Sequence, residues 1–200
     1  MKSKRLLAAL LSCCICGSVT AFAAQPHTEP VSYDSDVFSK VFASTVSQYS
    51  HFTGQNYTLP DGYDIYHGID VSKWTGVIDW NAVKTDGVDF AFLRVGYRAT
   101  SSGVLYEDTN FPTYSTGASS AGIPIGAYVF SQALNTAEAV EEAQFALDRV
   151  KTANIQLPIV MDYEYSDGSG RLDQAGLSQS EKTANVLAFC NTIRDAGYEP

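Results

Sequence analysis

Four short apolar runs, at residues 65–72, 90–97, 123–131 and 157–165, are separated by stretches with helical patterning. Runs of this length, rich in Ile, Val and Phe, read as strands. They are nearly continuous in apolar character, which is the pattern of strands buried on both faces of a parallel sheet covered by helices. The helical stretches carry their own start and stop signals. Asp79 caps a short helix that stops at Gly87, and a second spans residues 111–121 and ends at Gly122. Asn135 with Glu138 opens a third, in which Val140, Ala143, Leu147 and Val150 recur at helical spacing. Ser178 and Glu181 form a capping box for a fourth that ends near Ala196 and Gly197.

Strand–helix alternation allows an open doubly wound sheet or a (β/α) barrel, and the polar residues select the barrel. Asp70 ends the first strand, Arg94 and Tyr97 lie toward the end of the second, Tyr128 is in the third, and Asp162 and Glu164 end the fourth. Polar groups gathered at the carboxyl ends of parallel strands are how a barrel builds an active site. The turn after the first strand, Gly68-Ile69-Asp70-Val71-Ser72, lacks the GxGxxG spacing of a dinucleotide site.

The run Leu157-Pro158-Ile159-Val160-Met161-Asp162-Tyr163-Glu164-Tyr165 carries the chemistry. Residues two apart on a strand share a face, so Asp162 and Glu164 are expected side by side at the end of a buried strand. Charge is expensive there unless it has a use. Glycosidic bond cleavage uses such a pair, one carboxyl delivering a proton and another offsetting positive charge at the anomeric carbon. Glu164, with the longer reach and a like charge beside it to raise its pKa, is the expected acid. Asp70, from another strand, is the expected second carboxylate. Tyr128, Tyr163, Tyr165, Tyr97 and Trp74 offer aromatic surface for sugars, although core or rim packing is the better explanation of any single one.

Two other readings use the same residues. Asp70, Asp162 and Glu164 could hold Mg²⁺ or Ca²⁺ in a metal-dependent barrel hydrolase, and a wall-binding module could keep the sugar cleft without turnover. His27, His51 and His67 have no metal-ligand spacing with one another. The segment from Asp167 to Asp173 lacks the spacing and final Glu of an EF-hand and reads as the loop after the fourth strand. No cofactor and no metal are expected.

The chain opens with Lys2, Lys4 and Arg5, an apolar stretch over residues 6–19 and the small-residue exit Ala21-Phe22-Ala23-Ala24. Residues 1–24 are thus expected to be a secretory signal peptide, which places the product outside the cell or at its wall. No other stretch is long enough to span a membrane. Cleavage removes Cys13, Cys14 and Cys16 and leaves Cys190, which the helix pattern places on an apolar stripe. The chain has 13 basic and 22 acidic residues. Losing three of the basic ones takes the net charge to about −12, which argues against a nucleic-acid partner. Residues 25–63, rich in Ser, Thr, Tyr and Pro, read as an extension or linker with a short amphipathic helix around residues 37–46. Residues 64–200 form the domain, and a monomer is expected. Ending at Pro200 just after a helix, the pattern is expected to be truncated after its fourth βα unit. With open edges, these 200 residues alone are expected to fold poorly and to be weakly active at best.

From His67 to Pro200 the chain resembles the glycoside hydrolase family 25 lysozymes, the Chalaropsis-type N-acetylmuramidases. The resemblance rests on Gly68-Ile69-Asp70-Val71-Ser72, Trp74 with Gly76 to Trp80, and Phe90 through Arg94 to Tyr97. It continues through Asp108 with Phe111, Ala121-Gly122-Ile123, Gly126-Ala127-Tyr128, Glu142-Ala143 and Asp162-Tyr163-Glu164, in order and spacing. It implies a TIM-like barrel of the (β/α)5(β)3 type. The implied reaction is cleavage of the β-1,4 bond between N-acetylmuramic acid and N-acetylglucosamine in peptidoglycan. The implied roles are Glu164 as catalytic acid with Asp70 and Asp162 assisting. Val129-Phe130 stands where the family often carries His before Phe, and Tyr114 where it often carries Asn.

Overall fold

The computed structural model describes residues 5–10 and 63–200, with side chains from residue 66 onward. The strands are β1 (Arg5–Leu10), β2 (Tyr63–Val71), β3 (Phe90–Arg98), β4 (Leu105–Glu107), β5 (Ile125–Ser131) and β6 (Ile155–Tyr163). They form one sheet in the order β1-β2-β3-β5-β6, parallel along that path, with β4 antiparallel on β3. The helices are α1 (Trp80–Thr85), α2 (Phe111–Ser120), α3 (Thr136–Val150), α4 (Arg171–Gln174) and α5 (Gln179–Asp195), with a 3-10 turn at Lys73–Thr75. This is the expected α/β fold with a parallel sheet. Arg5–Leu10, inside the stretch read as a signal peptide, pairs with β2, so the same apolar run that suits export also suits an open sheet edge. The extension and its helix around residues 37–46 lie outside the described residues.

The caps form as the sequence predicts. Asp79 accepts from the backbone N–H groups of Asn81 and Ala82, Asn135 accepts from that of Glu138, and Ser178 with Glu181 closes a reciprocal box. Each uses groups at most three residues apart. The short strand β4, the 3-10 turn and α4 were not predicted, because elements of three or four residues show no periodicity. After α5 the chain returns to the sheet, where Ile159 N–H donates to the Glu199 carbonyl at 2.8 Å along the free edge of β6.

One face of the sheet is covered by helices. Ala91, Leu93 and Val95 of β3, with Ile125, Ala127 and Val129 of β5, pack against Tyr114 and Ala118 of α2, Ala143 and Leu147 of α3, and Phe189 and Ile193 of α5. Alternation sends their strand neighbours to the other face. There Phe90, Phe92 and Leu157 form a smaller cluster with Tyr66, Tyr128 and Val160. Phe90 and Phe92 meet edge to face, with ring centroids 5.9 Å apart. Glycine makes this layer possible. A methyl on Gly68 would overlap the Phe90 ring, and one on Gly126 would overlap Phe92 and press on the Pro158 carbonyl at 2.8 Å.

Gly126→Ala is therefore expected to lower stability by about 1–3 kcal/mol through overpacking, read from the urea midpoint. An unchanged midpoint would mean that the Phe92 ring swings clear at no cost.

Candidate active site

The second, less covered face carries the polar residues at the carboxyl ends of its strands. In register, Asp70 lies opposite Phe92, Arg94 opposite Tyr128, and Phe130 opposite Asp162. Asp70, Arg94, Tyr128 and Asp162 thus come from four strands and share one face. Strict alternation would turn Tyr97 away from Arg94. The register instead shifts between Arg94 and Gly96. That bulge puts Val95 and Gly96 on the helix side and returns Tyr97 to the face of Arg94, whose guanidinium lies 5.2 Å from the Tyr97 ring centroid.

The acids affect one another. Burial, and then the charges of Glu164 and Asp70, push the Asp162 carboxyl up to about 6, with Arg94 pulling the other way. Burial also raises Asp70. Tyr128 is raised as well, first by burial and then by Asp70, Asp162 and Asp108, with Arg94 opposing. The strand ends two residues sooner than the sequence suggests, at Tyr163, so Asp162 is half-buried within β6 while Glu164 follows it into solvent. The physical reason is that the chain turns into the 164–170 loop instead of continuing beside β5. The expected like-charge repulsion is present, and it falls on Asp162.

Asp108 is the residue whose role the sequence did not disclose. Fully buried at 0% exposure, it accepts from Arg94 Nε at 2.8 Å, from the Lys73 backbone N–H at 2.9 Å and from that of Asn110 at 3.1 Å. One carboxylate thus fixes Arg94 and the loops after β2 and β4. Arg94 Nη2 is buried and finds no hydrogen-bond partner among the described residues, which leaves a donor for a ligand. Tyr114, noted in the sequence as a departure from the resemblance, also binds these loops. Its hydroxyl accepts from Asn110 Nδ2 at 3.0 Å and donates to the Gly76 carbonyl.

The expected aromatic residues divide. Tyr128 and Tyr97 stand with the acids and Arg94. Trp74 is 80% exposed on the turn after β2, with Lys73 Nζ 5.1 Å from its ring centroid and 4.8 Å from that of Tyr97. Tyr165 is drawn to α5, where its hydroxyl accepts from Lys182 Nζ at 2.8 Å. Tyr163 turns to the helix side and donates to the Ala133 carbonyl at 2.6 Å. Among the described residues no three His, Cys, Asp or Glu side chains gather closely enough to hold a metal ion. Cys190 packs against the helix-side core, and burial raises its thiol.

The family model described as Glycosyl hydrolases family 25 matches residues 69–200. Lysozyme M1 of Streptomyces globisporus is 35% identical over 101 residues, which are 50% of this chain and 33% of that protein. The autolytic lysozyme of Clostridium acetobutylicum is 25% identical over 132 residues, 66% of this chain and 36% of that protein. The chain therefore spans about a third of the length of these curated relatives. Among solved structures, the bacterial lysozyme from Streptomyces coelicolor superposes with a TM-score of 0.53 at 30% identity, covering 65% of this chain and 58% of that one.

Asp162 gives a stability prediction. Its folded pKa, about 6, lies above its ordinary value of 3.8. Folding is therefore unopposed by this group below about pH 4 and progressively opposed as pH rises through 6. Asp162→Asn should stabilise the protein at pH 8 by about 1–2 kcal/mol after solvent screening, and by nothing at pH 3.5. Thermal melts at the two pH values read the difference, and an equal effect at both would refute it.

Proposed function

The chain belongs to glycosyl hydrolase family 25, and from that premise we propose that it is a secreted muramidase. Its reaction is hydrolysis of the β-1,4 bond between N-acetylmuramic acid and N-acetylglucosamine in peptidoglycan. The observation that carries this reading is geometric: Asp70 and Asp162 share one sheet face at the carboxyl ends of parallel strands, and Glu164 follows directly after Asp162 and Tyr163. Three carboxylates thus converge where parallel strands end.

Glu164 is the general acid. It stands at the exposed rim where a glycan strand can reach it, and a bound sugar would strip it of water beside the charge of Asp162. Its proton passes to the leaving glycosidic oxygen as the bond to the anomeric carbon breaks. Water supplies the hydroxyl at that carbon and returns a proton to Glu164. Asp162 and Asp70, ionised, offset the positive charge developing on the sugar. Arg94 Nη2 offers its spare donor to the substrate, and Tyr128, Tyr97 and Trp74 offer rings to sugar faces. Tyr165, exposed just after Glu164, offers a further ring.

The parallel strand order, with strand and helix alternating along the chain, supports an arrangement of the (β/α)5(β)3 barrel type. In this reading residues 1–24 direct export, residues 25–63 link, and the product works on wall glycan as a monomer.

Digestion of purified peptidoglycan, followed by mass spectrometry of the soluble fragments, tests the proposal. Fragments ending in reducing N-acetylmuramic acid are expected, with Glu164→Gln slower by roughly 10²–10⁴. The rate should fall on the acid side as Asp162 becomes protonated, below about 6 because the raising charge of Glu164 is absent when Glu164 carries its proton. Reducing N-acetylglucosamine ends, or equal rates from the folded variant, would refute it. Wall binding without any cleavage would favour a binding module.

A further inference from the structure

We propose that Gln132 is a positioning residue that sets where Glu164 stands, an inference that rests on Glu164 being the acid. Gln132 directly follows β5 and is fully buried, at 0% exposure. A primary amide is an expensive group to bury unless both its ends are bonded. Here both are. Nε2 donates to the Glu164 carbonyl at 2.8 Å, and Oε1 accepts from the Leu172 N–H at 3.2 Å. Glu164 opens the loop that leaves β6 and Leu172 lies in the first turn of α4 that follows it, so one side chain bridges the mouth of that loop.

The surroundings make this bridge rigid. The Gln132 carbonyl accepts from Arg171 Nη1 at 3.1 Å, and Arg171 grips Glu138 through two bonds of 2.8 and 2.9 Å. The next carbonyl, that of Ala133, accepts from the Tyr163 hydroxyl, and the buried Asn185 donates to that same hydroxyl at 3.1 Å. Tyr163 and Glu164 are thus both held by the Gln132-Ala133 segment.

The Glu164 side chain, by contrast, is held by no hydrogen bond or ion pair among the described residues, and it is exposed. Its position is therefore inherited from its backbone, and the side-chain contact that fixes that backbone is Gln132. A displacement of about 1 Å in an acid that must meet one glycosidic oxygen is enough to cost up to 10²-fold in rate.

Gln132→Met keeps the length of the side chain and removes both bonds. In the full chain it should lower kcat on soluble glycan strands about tenfold while KM changes less than twofold. Asp162, followed by carboxyl carbon NMR, should titrate below its wild-type value as the Glu164 charge drifts away. Gln132→Glu serves if the methionine variant fails to fold. Its carboxyl donates to the Glu164 carbonyl only when protonated, so its rate relative to wild type should recover as pH is lowered. Unchanged kcat per folded molecule with unmoved Asp162 titration would overturn the proposal, as would a rise in KM alone. If the wild-type protein cleaves no glycan, the muramidase reading fails by itself, and the Asp162 titration still decides whether Gln132 places Glu164.

Discussion

The Arg98 guanidinium, only 3% exposed at the end of β3, is the group on which the loops around the acids depend. Its Nε donates to Glu142 at 2.7 Å, its Nη1 to the Gly103 carbonyl at 2.8 Å, and its Nη2 to the Glu138 carbonyl and the Glu141 carboxylate. A buried cation is tolerable only when its donors are engaged and its charge is offset. Meeting that requirement draws α3 and the loop after β3 onto the sheet end. Glu138, held through its carbonyl, then offers its carboxylate to Arg171, which fixes the start of α4 beside Gln132. A single buried charge is in this way connected to the segment that carries Glu164.

A second network works on the other side of the acids. Asp108 holds Arg94 and the turn after β2, so this cation on the face of the acids is restrained on its Nε and has no partner for Nη2 among the described residues. Between these two networks lies a sheet face whose packing is thin, with Phe90, Phe92 and Leu157 in place of the broad helix-side core. Carboxylates at the edge of such a face are partly stripped of water without being neutralised, which is why Asp162 is raised. Stability is given up there, as is usual where a site must keep charges ready for a ligand.

Much of the fold was legible in the sequence because its determinants are local. The caps at Asp79, Asn135 and Ser178 reach at most three residues, and apolar runs announce strands within a single window. Asp70 and Asp162 were legible for the same reason, since acids ending apolar runs stand out from their neighbours. Tyr165 and Tyr163 were not separable from Tyr128 by sequence. Which face each takes depends on where β6 stops and on Lys182 and Ala133, which lie 17 and 30 residues away.

The sequence by itself determined the parallel α/β order, the family, and the strand ends at which acids gather. The order and the strand ends follow from apolar runs and caps along the chain, and the family from the resemblance of its motifs. Only the tertiary structure decided that Tyr97 faces Arg94 through a bulge, and that Asp162 is the acid whose charge is opposed. It also showed that Asp108 holds Arg94 and that Gln132 bridges Glu164 and Leu172. The Asp108 and Gln132 bonds join residues 14 to 40 apart in the chain. A hydrogen bond at that separation depends on distance in space, and no local pattern of residue types encodes it.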